Sequence, residues 1–136
     1  MIQIIYGAKG TGKTKQLIDR ANKDALESHG EVVFLADTNR YMYDLRYVVR
    51  FVNVCEYEIQ TEIGLLGFIR GILAGNKDVK SIYIDGAHRM TTRDICDMTW
   101  FYNKLEELAQ KNDMQFILSV SAPKEELPDF IQKYID

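Results

Sequence analysis

The sequence predicts a three-layer α/β domain with a mostly parallel, five-stranded sheet, and three observations lead there. Short runs rich in β-branched and aromatic residues alternate with longer segments of helical period. The runs are almost continuously apolar, as strands covered by helices on both faces are. The chain has 136 residues, 46% hydrophobic and 27% charged. That matches a common size for one domain and is enough to bury a substantial core, so a single domain over 1–136 is expected.

Five strands are expected: Ile2 to Tyr6, Glu31 to Ala36, Phe51 to Val54, Lys80 to Ile84 and Gln115 to Val120. The first and fourth are placed near the centre of the sheet, within reach of each other's carboxyl ends. After the first strand, Leu17, Ile18, Ala21, Ala25 and Leu26 recur at helical spacing, and Gly30 after His29 reads as a stop. A second helical stretch is expected over Tyr41 to Val49. A third carries Ile63, Leu66, Ile69, Ile72 and Leu73 and ends at Gly75-Asn76. A fourth is expected to begin at Thr91, which has capping-box spacing to Asp94, and to run through Ile95, Met98, Tyr102, Leu105 and Leu108. Ser121-Ala122-Pro123 opens a terminal helical segment that Pro128 restarts. No repeat or long linker divides the chain.

Charge and cysteine usage narrow the classes of function. A formal net charge of -3 provides no global positive field, so nucleic acid is an unlikely partner. Cys55 and Cys96 are far apart, without the spacing of a metal knuckle or a redox pair, and read as two buried reduced thiols. No apolar run approaches the roughly 20 residues of a membrane helix. No secretion signal is visible at the start, so a soluble cytoplasmic protein is expected.

The chemistry-bearing motif is Gly7-Ala8-Lys9-Gly10-Thr11-Gly12-Lys13-Thr14, which matches G-x-x-x-x-G-K-[ST] without a gap. By itself it would arise in roughly one of a few hundred random chains of this length. The apolar strand before it and the amphipathic helix after it decide the matter, because the mechanics of the loop require both. Its glycines let successive N–H groups face a phosphate. Lys13 is expected over the β- and γ-phosphates, and the helix beginning there aims its positive dipole end at the same place. Thr14 is expected to place its hydroxyl on Mg2+. A plain Gly-rich turn would explain the glycines but leave that positive charge with no anion to meet.

Ser81-Ile82-Tyr83-Ile84-Asp85 is an apolar strand ending in an acid, the pattern of a Walker B element. Such an acid would hold magnesium beside Thr14, since ligands of open α/β sheets bind at the carboxyl ends of the strands. With both motifs in place the chain resembles the P-loop NTPase superfamily, most similar to its RecA-like branch. The resemblance implies the P-loop NTPase fold, with ATP and Mg2+ as ligands. It also implies a strand after Walker B that ends in a polar, γ-phosphate-sensing residue. Phe116-Ile117-Leu118-Ser119-Val120-Ser121 looks like that strand, and Ser119 or Ser121 is the residue carried over.

One departure bears on activity. Many members place a glutamate directly after the Walker B acid to orient the attacking water, whereas this sequence has Gly86-Ala87-His88. His88 is a candidate for that role, although a lone His at a strand-to-helix junction is more often structural. Glu56 and Glu58 are alternative acids. Arg89 and Arg93 could supply positive charge to a transferring phosphate, or be solvated arginines near a helix start. Arg40, Arg46 and Arg50, with Tyr41, Tyr43 and Tyr47 interleaved, could stack on a base or meet a protein partner through Tyr41 to Tyr47, or form one amphipathic helix.

Three functions follow. The first is a Mg-dependent ATP-binding protein that hydrolyses slowly or switches shape. The second is a nucleoside or nucleotide kinase resembling thymidine kinase, against which stand the missing zinc cysteines and the missing acid next to Asp85. The third is a non-enzymatic interaction module with a relic nucleotide site. No guanine-specifying Asn-Lys-x-Asp element is present, which favours ATP over GTP.

Overall fold

The computed structural model describes residues 1–28 and 30–135. Five strands form one sheet: β1 (Ile2–Gly7), β2 (Glu31–Ala36), β3 (Arg50–Asn53), β4 (Val79–Asp85) and β5 (Gln115–Ser121). Their order is β1-β5-β4-β2-β3, and every neighbouring pair is parallel. All five expected strands are present, each within one residue of its expected ends. The helices are α1 (Lys13–Glu27), α2 (Glu62–Gly75), α3 (Ala87–Met90), α4 (Thr99–Asn112) and α5 (Asp129–Gln132).

Both faces of the sheet are covered, and side-chain alternation along the strands divides the core in two. On one face Val33 and Leu35 of β2, Ile82 and Ile84 of β4, and Phe116, Leu118 and Val120 of β5 meet α2, α4 and the C-terminal segment. On the other, Val32, Phe34 and Ala36 of β2, Tyr83 of β4 and Ile117 of β5 meet Leu17, Ile18 and Ala21 of α1. Phe34 and Tyr83 stack there with ring centroids 6.2 Å apart, and the Tyr83 hydroxyl donates to Asp24 of α1 at 3.0 Å. That bond ties α1 to β4 across this face.

β1 lies at the edge of the sheet rather than near its centre, because β5 inserts between it and β4. Its composition is consistent with this: Gln3 is half-buried and bonds Arg20, whereas β2 is apolar from Val32 to Ala36. The outer edge of β1 meets the C-terminal segment, where the Ile4 N–H donates to the Tyr134 carbonyl at 3.1 Å.

Two expected helices are corrected. Residues 41–49 make only a short 3-10 turn, Met42–Asp44, and then a turn closed by the Val49 N–H donating to the Arg46 carbonyl at 3.0 Å, before β3 begins. The i, i+4 apolar spacing of Tyr41, Leu45 and Val49 is real, and these three pack beneath α1. The segment is dominated by tyrosine, valine and aspartate, however, which lose side-chain freedom in a helix or compete for its hydrogen bonds. The Thr91–Asp94 spacing does not make a capping box. Thr91 ends α3, its hydroxyl donating to the Ala87 carbonyl at 2.9 Å, and Thr92 follows with φ of 51°. Asp94 caps a separate 3-10 turn, Ile95–Asp97, by accepting from the Cys96 N–H at 2.9 Å. The long helix starts only at Thr99.

Smaller expectations also meet the structure. α1 ends at Glu27, ahead of Gly30, and the His29 half of the expected stop lies outside the described residues. Both cysteines are exposed rather than buried, on 3-10 turns outside the sheet. The terminal segment divides at Pro128 as expected, into a 3-10 turn at Lys124–Glu126 and α5. No helix among the described residues is long and apolar enough to cross a membrane.

Candidate functional site

Parallel register brings the carboxyl ends of the strands together. Asp85 lies opposite Ser119, Gly7 opposite Ser121, and Leu35 opposite Ile84, so the residues that follow each strand open onto one edge. Between α1 and the segment after β2 this edge forms a cleft of about 940 Å³. A cleft of that volume is the size of a nucleotide site.

The loop after β1 forms the floor. Gly10 and Gly12 both sit at φ of 85°, a left-handed conformation that carries little cost only in glycine. A Cβ on either would meet no atom within 4 Å, so the space above them is open. Gly12 caps α1 without a side-chain hydrogen bond, and the first turn holds no acid. The initial N–H groups of the helix are therefore left to whatever occupies the cleft. The loop is held from within: the Thr11 hydroxyl and the Lys13 ammonium both donate to the Ala8 carbonyl, at 2.7 and 2.9 Å. Burial pulls the Lys13 ammonium below its ordinary range, Asp85 pulls it back up and Arg89 adds to the lowering.

Asp85 is the hub. It is 3% exposed, and its two oxygens have separate partners. Thr14 Oγ1 donates to Oδ2 at 3.0 Å and Ser119 Oγ donates to Oδ1 at 2.8 Å. Ser119 in turn accepts from the Gly86 N–H at 3.0 Å. Thr14 and Asp85 thus present a hydroxyl and a carboxylate at one point of the cleft, a set of hard oxygens that suits Mg2+. Among the described residues no group of three or more His, Cys, Asp or Glu side chains converges as a metal site, so a cation here needs oxygens from phosphate or water.

The other expected residues divide. Gly10, Gly12, Lys13, Thr14, Lys9, Asp85, Arg89 and Ser121 line the cleft, whereas Ser119 is buried beneath it. His88 faces a separate cavity of about 170 Å³ with Arg93, Asp94 and Ser121. Burial lowers its pKa, reinforced by Arg89 and Lys13 and opposed by Asp37 and Asp85. Arg93 pairs with Glu62 at 3.4 Å instead of facing the cleft. Glu56 accepts from Asn39 at 3.1 Å, and neither it nor Glu58 lines the cleft. Tyr41 lines the cleft with Arg40, whose guanidinium lies 5.3 Å from the ring centroid, while Tyr43 and Tyr47 are exposed to solvent.

Sequence reasoning missed Asp37. It follows β2, the strand next to β4, and so stands on the same edge as Asp85. Arg89 Nε donates to Asp37 Oδ2 at 3.0 Å. Burial lowers the Arg89 pKa, but the bond and charge of Asp37, with the charge of Asp85, more than reverse this, and the net shift is upward. The signal was available: an acid directly after an apolar run, as Asp85 follows its own.

No protein-family model matches the chain, and no curated protein matches it. Among solved structures, a KaiC-like protein of the hyperthermophilic archaeon Pyrococcus horikoshii OT3 is similar, with a TM-score of 0.52 at 18% identity. The match covers 95% of this chain and 64% of that one, so this chain spans less than two thirds of its counterpart. At this identity the likeness shows the fold alone, which in this chain is a parallel five-stranded α/β sheet.

Proposed function

We propose that the chain binds a nucleoside triphosphate, ATP by preference, together with magnesium, and acts as a slow ATPase or a nucleotide-dependent switch. One observation carries this reading. Thr14 and Asp85, 71 positions apart in sequence, meet at 3.0 Å where the Gly7–Thr14 loop opens into the cleft. A fold that needed only a Gly-rich turn has no reason to bring a hydroxyl, a carboxylate and the buried Lys13 to the mouth of an uncapped helix N-terminus.

In this reading the backbone of Gly7 to Gly12 and the start of α1 cradle the phosphates. Lys13 turns from the Ala8 carbonyl to the β- and γ-phosphates, and Thr14 with Asp85 holds the cation. Magnesium held by Thr14 and Asp85 would supply positive charge to the phosphates. Ser119 orients Asp85, and Ser121 faces the phosphates from the end of β5. Asp37 is the acid best placed to orient an attacking water, in place of the glutamate missing after Asp85. That acid also bears on a second reading, a nucleoside or nucleotide kinase, because the same carboxylate could accept the proton of an acceptor hydroxyl.

The test is calorimetric titration of ATP, ADP and GTP with magnesium into wild type and Lys13→Ala, with phosphate release followed in parallel. Binding that is lost in the variant supports the site. Phosphate released from ATP alone marks an ATPase. ADP and a phosphorylated nucleoside formed without free phosphate, and only when a nucleoside is added, mark a kinase, and binding without turnover marks a switch. Wild type that binds none of the three sinks the reading.

A further inference from the structure

Arg89 touches both strand-end acids of the cleft. Its guanidinium donates to the two oxygens of Asp37 at 3.0 and 3.4 Å. Nη2 also donates to the backbone carbonyl of Asp85 at 3.1 Å and lies 3.9 Å from its Oδ2. Gly86 makes room for this. A Cβ there would stand 2.3 to 2.6 Å from the guanidinium carbon and nitrogens of Arg89. The residue after Asp85 is therefore a glycine where many P-loop NTPases carry a glutamate, and a guanidinium lies over it.

Lys13 and Arg89 line the cleft together with the two strand-end acids, Asp37 and Asp85. As the structure stands, Arg89 is satisfied by Asp37, whereas the Lys13 ammonium rests on the Ala8 carbonyl. The Arg89–Asp37 pair is partly exposed, with side-chain exposures of 43% and 23%. Pairs of this kind contribute little to stability, so they exchange readily. A phosphate group carries more charge than a carboxylate and offers a guanidinium the same forked geometry.

Building on the triphosphate reading above, we propose that Arg89 is the γ-phosphate reader of this site. The third phosphate, held beside Asp85, draws the guanidinium off Asp37, and Asp37 is thereby released to accept a hydrogen bond from the attacking water or hydroxyl. A diphosphate does not reach the guanidinium and leaves the Asp37–Arg89 pair closed. One ion pair thus couples recognition of the triphosphate to exposure of the acid that uses it.

The test is the ratio of ATP to ADP affinity, measured calorimetrically with magnesium in wild type, Arg89→Gln, Arg89→Lys, Asp37→Asn and Lys13→Ala. Arg89→Gln is expected to lower ATP affinity about tenfold or more while ADP affinity stays within error, because one charge-assisted contact is lost from the triphosphate alone. Arg89→Lys should restore part of the ratio. Asp37→Asn should raise ATP affinity, since the Asp37 charge no longer competes with the phosphate for the guanidinium, and should abolish any phosphate release. Equal shifts for ATP and ADP in Arg89→Gln, or no shift in either, overturn the proposal even where Lys13→Ala weakens both ligands. Lys13→Ala that binds both ligands as wild type does removes the phosphate site itself, and this proposal with it. Urea unfolding of Arg89→Gln guards against loss of fold, which its half-exposed side chain makes a small effect.

Discussion

Ser119 and Asp85 face each other on neighbouring parallel strands, and the serine hydroxyl holds the carboxylate at 2.8 Å. The same hydroxyl accepts from the Gly86 N–H, so one side chain fixes both the acid and the turn that follows it. Oδ2 is thereby left facing Thr14. Ser119→Ala leaves a buried N–H and a buried carboxylate oxygen without this partner. The expected stability loss is about 1–3 kcal/mol by urea unfolding. Magnesium-dependent nucleotide affinity should fall about tenfold, the usual effect of removing a side chain that orients a ligand. Unchanged affinity would show that Asp85 does not depend on Ser119 for its position.

Gly12 separates conformational cost from steric cost. At φ of 85° with nothing within 4 Å of an added methyl, Gly12→Ala meets no clash and incurs only the left-handed backbone penalty. That penalty is about 1–2 kcal/mol. The methyl also projects into the open space above the loop, so nucleotide affinity should drop by more than stability does. Calorimetry and unfolding on the same variant compare the two.

His88 makes stability depend on pH. Its folded pKa lies below the ordinary value of 6.5, with burial the main cause. As pH falls through 6.5 the unfolded chain takes up the proton first, so stability declines with acid and levels off once folded His88 is also protonated. Wild type should therefore lose more stability than His88→Asn between pH 7 and 5 in urea titrations. Equal losses would place the pH dependence in other groups.

Tyr83 is a structural counterpart away from the cleft. Burial and the adjacent Asp24 raise its phenol above the ordinary value of 10, so the folded protein keeps the proton where the unfolded chain loses it. Stability falls as pH rises past 10. Tyr83→Phe should remove that alkaline loss and cost about 1 kcal/mol at neutral pH, the worth of a typical hydrogen bond. Because the bond ties α1 to β4, a change in nucleotide affinity would show that this tie helps to position Lys13 and Thr14.

Legibility followed the range of the interactions involved. The five strands were readable because burial on both faces demands continuous apolar runs such as Val32 to Ala36 and Ile82 to Ile84. The loop and Asp85 were readable because their chemistry is confined to a few adjacent residues. The segment 41–49 misled because Tyr41, Leu45 and Val49 are spaced as a helix face yet reach the core from irregular chain. Thr91 misled because a hydroxyl at this spacing can end one helix as well as begin another. Asp37 carries the same local mark as Asp85, an acid after an apolar run, but that mark does not say that β2 lies beside β4, which is what brings the two acids to one cleft.

By itself, then, the sequence determined an α/β sheet, a Gly-rich loop between the first strand and a helix, and an acid at the end of a later strand. Each is written in near neighbours, through apolar periodicity, glycine and strand-end chemistry. Only the tertiary structure decided that β5 separates β1 from β4, that Thr14 and Ser119 share Asp85, and that Arg89 joins Asp37 to the same cleft. Those hydrogen bonds join residues from 34 to 71 positions apart. They arise from strand order and register, which the packing of the whole chain selects rather than any one segment of it.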